Sequence, residues 1–194
     1  AGRQVRIEGL HTRTRYTFRA AGVEILLTFM TPSLPSNPHT LSWPVGYVTF
    51  DLRATDGQPH AVQLYFDVCA EFVVDSPDQR IVGSRLNCGG ATALSFGTAS
   101  QNILASAGDD RRIDWGYLYL IIRDTPGQPR ADTCIAPKQD VQENFADTGD
   151  IANCDDLNMP RAVADGWPAL IARWEFRLDP GVTARRDAVL VYDD

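Results

Sequence analysis

Acidic side chains are the residues of this chain best suited to chemistry. Hydrolases often use two carboxylates held at a defined separation. Three adjacent pairs occur, namely Asp109 and Asp110, Asp155 and Asp156, and Asp193 and Asp194. Because neighbours on a strand point to opposite faces, an adjacent pair does not by itself form an acid–base couple. The first two pairs are better explained as turn caps, whereas the last pair follows a predicted strand end, where sites are often built.

One single acid, Asp114, has a more distinctive setting. Its alternating surroundings predict a central strand over residues 112–120, with Asp114 on the aliphatic face. Burial there would raise its pKa unless Arg111 or Arg112 pairs with it, and the favoured alternative leaves the acid at the solvent end of the strand. Gly116 interrupts the same strand, which indicates that another part of the protein approaches closely there.

The other face of this predicted strand is aromatic. Trp115, Tyr117 and Tyr119 could form a stacking platform for sugar, which is the basis of an alternative function as a freestanding carbohydrate-binding module. Such residues are more often half of a core, because they bury large areas. Trp174 alternates with apolar neighbours and is predicted to lie in the core.

Nucleophilic catalysis finds little support in the sequence. It contains no Gly-x-Ser-x-Gly elbow, and His11, His39 and His60 stand alone in loop-like settings. The three histidines therefore do not predict a metal triad, and no catalytic residue is assigned.

Calcium is the one metal that the sequence suggests, and no other cofactor is expected. An irregular stretch is rich in the oxygen ligands that Ca²⁺ prefers. Its candidate ligands are Asp147, Asp150, Asn153, Asp155 and Asp156. Their spacing does not match an EF-hand loop, and a solvated acidic loop is the favoured interpretation.

The cysteine pattern leaves the compartment open but favours export. Four cysteines without a Cys-x-x-Cys pair argue against zinc and thioredoxin-like chemistry. Three disulfide connectivities exist, and proximity favours Cys69 with Cys88 and Cys134 with Cys154. Four free thiols are the alternative, and a secreted or extracytoplasmic location is the expectation.

The overall composition argues against nucleic acid and membranes as partners. The 194 residues carry a net charge of −7, and Lys138 is the only lysine. No basic stripe with interleaved aromatic residues occurs, so nucleic acid is not an expected partner. No apolar run approaches the roughly 18 residues of a membrane span, so a membrane is not expected either.

Period-two alternation dominates the chain and predicts an all-β fold. About ten short strands separated by turn signals favour one antiparallel β-sandwich domain over residues 1–194. The clearest predicted hairpin joins strands at 48–52 and 62–68 through Asp56 and Gly57. Residues 128–166 are an irregular insertion in which only residues 138–146 indicate a helix.

The last predicted strand runs directly into Asp193 and Asp194 with no polar tail. Domain boundaries normally lie in exposed linkers. The chain is therefore expected to be a fragment of a longer protein.

Several segments together resemble the non-catalytic, β-rich N-terminal region of the secreted glutaminase A family of fungi and bacteria. In the family's order they are TRTRYTF at 12–18, LTFMTP at 27–32, TDG at 55–57, VQLYFD at 62–67, RIDWGYLYL at 112–120, MPRA at 159–162 and YDD at 192–194. The four cysteines and residues 125–156 are not part of this pattern.

The resemblance implies that this is an accessory domain of a hydrolase that converts L-glutamine to L-glutamate and ammonia. It also implies a helical catalytic domain in the same chain as the partner, with the β-sandwich inactive alone. The residues expected to face that partner are Asp114, Trp115, Tyr117, Asp193 and Asp194.

Overall fold

Antiparallel strands dominate the computed structural model, which describes residues 2–105, 107–151 and 155–193. The fold is an all-β antiparallel sandwich, so the predicted fold class is confirmed. The strands are β1 (Arg3–Leu10), β2 (Arg13–Ala20), β3 (Val23–Met30), β4 (Val45–Ala54), β5 (His60–Cys69), β6 (Arg80–Cys88), β7 (Ala91–Thr98), β8 (Tyr117–Arg123), β9 (Asp132–Pro137), β10 (Arg161–Ala162), β11 (Pro168–Leu178) and β12 (Thr183–Asp193). The helices are α1 (Pro38–Leu41) and α2 (Lys138–Thr148), with a 3-10 turn at Ala70–Val73.

The chain forms two compact units. The first contains the residues up to Val62 together with Glu175–Leu190, and the second contains Gln63–Trp174 and the residues from Val191 onward.

In the first unit, β1 to β4 pair in sequence order, and β12 follows β4 in the sheet. The β2–β3 connection is a tight turn in which Ala21 and Gly22 have φ of 45° and 77°. These positive angles match the right-handed strand twist, which favours two-residue turns of this kind.

In the second unit, β8, β7, β6 and β10 are neighbours in one sheet, and β5, β11 and β9 form another. Leu94, Phe96 and Leu120 are fully buried in the first of these sheets. A second buried cluster joins β9 and β11 to Val141 of α2. Trp174 of β11 is 3% exposed, which confirms its predicted place in the core.

The predicted hairpin over residues 48–68 is wrong. β4 pairs with β3, whereas β5 lies beside β11. Alternation shows that each strand has one buried face, but it does not identify the partner strand. The Asp56 carboxylate accepts the N–H of Gln58 at 3.0 Å and contacts His60 Nε2 at 2.9 Å. These contacts stabilise a turn that leads from one sheet to another.

The predicted strand at 112–120 is correct only in its second half, because β8 begins at Tyr117. Gly116 has φ of 83°, a left-handed conformation that a strand does not continue through. Before it, the Arg112 N–H donates to the Asp75 carboxylate and the Asp114 carbonyl accepts from the Thr98 hydroxyl. Side chains therefore replace strand pairing in this segment.

The insertion contains the predicted helix. α2 extends through Thr148 and ends at Gly149, whose φ of 74° closes the helix with an N–H donated to the Phe145 carbonyl. No helix among the described residues is long and apolar enough to cross a membrane.

The predicted disulfide between Cys69 and Cys88 does not form, since both are free thiols. They end strands of different sheets, β5 and β6, so proximity in sequence did not bring them together. Cys134 is buried in β9. Its suggested partner, Cys154, lies outside the described residues, and that pair stays a prediction.

Candidate functional site

Asp114, the acid singled out in the sequence, lies in the second unit and is held by an amide. Its Oδ2 accepts from Gln79 Nε2 at 2.8 Å. The arginines expected to pair with it have other partners: Arg111 contacts Asp75 at 2.7 Å and Arg112 contacts Glu71 at 3.4 Å. The pairing with Arg111 or Arg112 is therefore wrong, and the partly exposed Asp114 lies before β8 rather than within it.

The end of β12 approaches Gly116, where the sequence predicted a close approach without identifying the approaching segment. A Cβ at Gly116 would lie 3.0 Å from Tyr192 Cε1 and 3.1 Å from the Asp193 carbonyl oxygen. The Tyr192 hydroxyl donates to the Trp115 carbonyl at 2.6 Å. Burial raises the pKa of Tyr192, and the charge of Asp114 adds to this effect. The structure thus brings Asp114, Trp115 and Asp193 together, while Asp194 lies outside the described residues.

Tyr117 begins β8 on the face opposite the core. Leu118, Leu120 and Ile122 are buried, whereas Tyr117 and Tyr119 are half-buried with ring centroids 6.5 Å apart. Trp115 precedes the strand, so the three aromatic residues do not form the single strand face that the sequence predicted.

An apolar groove of about 530 Å³ lies beside these residues in the second unit. Its lining residues are Glu71, Phe72, Arg112, Ile113 and Tyr192. Phe72 is 70% exposed and Ile113 is 56% exposed. Sequence analysis missed Phe72, since a single aromatic residue in a short 3-10 turn has no periodic pattern.

The acids of the calcium hypothesis contact arginines and backbone groups. Asp155 binds Arg85 at 2.7 Å and the Ile135 N–H at 2.9 Å. Asp156 binds Arg161 at 2.8 Å. Among the described residues, no group of three potential ligands is close enough to hold a metal ion. Asn153 lies outside the described residues, so the complete set stays an untested prediction.

The sheet of the first unit has one face that is strongly apolar. Strand register places Ile7 opposite Tyr16, Tyr16 opposite Leu27 and Leu27 opposite Phe50. The neighbouring rows add Phe18, Ile25 and Phe29 to the same side. We call Ile7, Tyr16, Phe18, Ile25, Leu27 and Phe29 the apolar face.

Cover over this side of the sheet decreases from β4 to β1. Phe50 and Leu52 of β4 are 4% and 0% exposed. Phe29 is 37% exposed and Ile7 is 57% exposed, although both lie on the same side. Tyr16 contacts Phe29 edge-on at a centroid distance of 6.1 Å. The open part is therefore an ordered aromatic surface, which in a soluble protein commonly marks an interaction site.

The opposite side of the same sheet is charged. Glu24 of β3 lies directly between Arg19 of β2 and Arg53 of β4 in the strand register. Its carboxylate is only 11% exposed and binds both guanidinium groups. The hydrogen bond from Arg19 is the strongest influence and lowers the pKa of Glu24; burial opposes it and Arg53 adds to it. We call Arg19, Glu24 and Arg53 the arginine–glutamate row.

Comparison with known proteins shows which family the chain belongs to. The family model described as domain of unknown function DUF5127 matches residues 12–181. The chain belongs to the DUF5127 family. The resemblance to the β-rich region of the glutaminase A family is thereby confirmed.

This DUF5127 domain is similar to Glutaminase A of Aspergillus oryzae, with 28% identity over 171 residues. The match covers 85% of the chain but 23% of that relative, so the domain spans less than a quarter of its length. Among solved structures, a putative kojibiose phosphorylase from the human microbiome matches with a TM-score of 0.49 and 9% identity. That match covers 93% of the DUF5127 domain and 17% of the phosphorylase chain.

Proposed function

We propose that this DUF5127 domain is the non-catalytic accessory β-sandwich of a secreted, glutaminase-like hydrolase. It packs on a helical catalytic domain of the same protein, which converts L-glutamine to L-glutamate and ammonia. The family match and the similarity to Glutaminase A support this proposal. The small share of that relative covered by the domain is what an accessory part of a longer enzyme requires.

The main structural support for this proposal is the open apolar face. Sheets are stable when their apolar side is covered by another layer. Here Ile7 and Phe29 stay exposed on a side whose β4 residues are buried. Tyr16 and Phe18 stack at 6.4 Å beside them, so a partner would meet a pre-ordered surface. We assign the catalytic domain as the occupant of this face.

The second unit contributes a further part of the proposed contact. Asp114, Trp115, Tyr117 and Asp193 are proposed to face the catalytic domain at or beside the groove that contains Phe72, and Asp194, outside the described residues, is proposed to face the same partner. Phe72 offers a large apolar side chain there, and aromatic anchors contribute strongly to protein interfaces. None of these residues is assigned a catalytic role.

The first experiment follows the reading frame beyond codon 194 and expresses the complete protein. We expect ammonia release from L-glutamine by the complete protein and background release by the DUF5127 domain alone. Turnover by the isolated domain, or a frame that ends at Asp194, would overturn the accessory role.

A charge placed on the apolar face tests the docking surface. Ile7→Glu should leave the isolated domain folded, because Ile7 is already 57% exposed. In the complete protein it should lower the temperature at which the catalytic domain unfolds, since a buried unpaired charge weakens an interface. Thr17→Glu is the matched control, because Thr17 lies on β2 on the charged side of the sheet. Equal effects of both variants would contradict docking through the apolar face.

A further inference from the structure

The arginine–glutamate row has more hydrogen-bond donors than its carboxylate uses. Arg19 contacts Glu24 Oε2 through Nε at 2.7 Å and Nη2 at 2.6 Å. Arg53 contacts Oε1 through Nε at 2.8 Å and Nη2 at 2.5 Å. A guanidinium group has five N–H donors. Neither Nη1 group has a hydrogen-bond partner among the residues that the structure describes.

The same two arginines line an open pocket of about 520 Å³. Ala54 and Thr55 complete its described lining. The Thr55 hydroxyl donates to the Gly22 carbonyl at 3.0 Å, which fixes this corner of the pocket.

The balance of charge in the row favours an anion. Two guanidinium groups and one carboxylate leave a local charge of +1 in a protein whose net charge is −7. Glu24 binds both guanidinium groups from β3, the strand between them, so their positions are already fixed before a ligand binds. The remaining N–H donors of a guanidinium group held in this way suit the oxygen atoms of carboxylates and phosphates.

We propose that the pocket lined by Arg19 and Arg53 binds a small oxyanion. The Nη1 groups of both arginines donate to its oxygen atoms, and Glu24 positions the two guanidinium groups without touching the ligand. This site lies on the side of the sheet opposite the apolar face. It therefore does not depend on the proposed accessory role.

Binding is tested by NMR of the arginine side-chain N–H groups in the isolated domain, during titration at constant ionic strength. One arm uses inorganic phosphate and the other uses succinate, so a phosphate and a carboxylate are compared directly. We expect saturable shifts of both arginine signals in at least one arm, and the arm that saturates earlier identifies the ligand class. Absence of saturable shifts in both arms would overturn the proposal.

Substitutions separate a specific site from general attraction between charges. Arg19→Gln and Arg53→Gln should each weaken binding about tenfold or more, as expected when one charged hydrogen-bonding group is lost. Arg177→Gln is the matched control, because Arg177 is 71% exposed and pairs only with Asp179 at 3.2 Å in the described structure. It changes the net charge equally and should leave the affinity unchanged.

Arg53→Lys keeps the charge but removes the planar fork. Binding should weaken several-fold, because an ammonium group cannot reproduce the paired N–H geometry. Unchanged affinity in this variant, or equal losses in Arg53→Gln and Arg177→Gln, would show diffuse attraction and overturn the assigned site. Circular dichroism of each variant confirms that the domain is folded before titration.

Discussion

The two sides of the β1–β4 sheet use the same strands but satisfy their side chains in different ways. On the apolar side, cover depends on neighbouring layers and falls from Leu52, which is fully buried, to Ile7, which is 57% exposed. On the charged side, Glu24 is satisfied by Arg19 and Arg53 from adjacent strands of the same sheet. The first side leaves apolar surface that another layer would have to cover. On the second side the Glu24 carboxylate is fully paired within the sheet, but Arg19 and Arg53 keep Nη1 donors that have no partner among the described residues.

This difference shows where an interaction can be added without disturbing the fold. An apolar partner removes surface from water at β1 to β3, where burial is incomplete. An anion can be added at the charged row because the guanidinium groups already have fixed positions.

The covered end of the apolar side should be the most sensitive. Leu52→Ala removes a fully buried side chain and leaves a cavity, so it should lower the free energy of unfolding by about 2–5 kcal/mol. Urea denaturation of the purified domain measures this change. A loss below about 1 kcal/mol would mean that this end of the sheet is not the closed core described here.

The centre of the charged side should show a smaller effect. Glu24→Ala removes the shared carboxylate and leaves two like charges on β2 and β4, the strands on either side of β3. Because both arginines are about 60% exposed, solvent screens much of the interaction, and we expect a loss of about 1–2 kcal/mol. A result equal to that for Leu52→Ala would remove the distinction between the two sides.

The contribution of Glu24 should depend on pH in a defined direction. Its pKa is lowered in the folded domain, chiefly by the hydrogen bond from Arg19, with burial acting in the opposite direction. The stabilisation is therefore complete above the unfolded value of about 4.3 and is lost as pH falls through the folded value. The difference in Tm between wild type and Glu24→Gln should shrink when pH is lowered from about 6 to about 3. A constant difference would contradict this ionic contribution.

The open end of the apolar side should be the least sensitive. Ile7→Ala in the isolated domain should change the free energy of unfolding by about 0.5 kcal/mol or less, because Ile7 is mostly in water. Denaturation under the conditions used for Leu52→Ala provides the comparison. A loss of about 2 kcal/mol or more would show that β1 is covered in solution.

Local pattern was sufficient for much of the fold. Sequence pattern predicted an antiparallel fold of about ten short strands, a helix over residues 138–146 and the buried position of Trp174. It failed where partner choice decides the structure, because β4 and β5 each alternate well but join different sheets. It also failed before Tyr117, where Asp75 and Thr98 bind backbone groups that a strand would pair.

The candidate interaction surfaces were harder to predict from the sequence than the fold. Gly116 indicated a close approach because glycine in a strand is a strong local signal. The arginine–glutamate row depends on the register of three strands at once, so nothing in the spacing of Arg19, Glu24 and Arg53 reveals it. In the sequence, the open apolar face has the same alternating pattern as a buried core face. Alternation shows which side of a strand is apolar but not whether another layer covers it.

The contact at Gly116 has a consequence for how related sequences can diverge. A side chain at this position would be strained by the φ of 83° and would contact the ring of Tyr192 and the backbone at Asp193 tightly enough to shift them. In a relative that carries a larger residue at the position of Gly116, we therefore expect a smaller ring or a slightly shifted strand at the position of Tyr192. We therefore expect the positions of Gly116 and Tyr192 to covary in the family, because the end of β12 lies beside the start of β8.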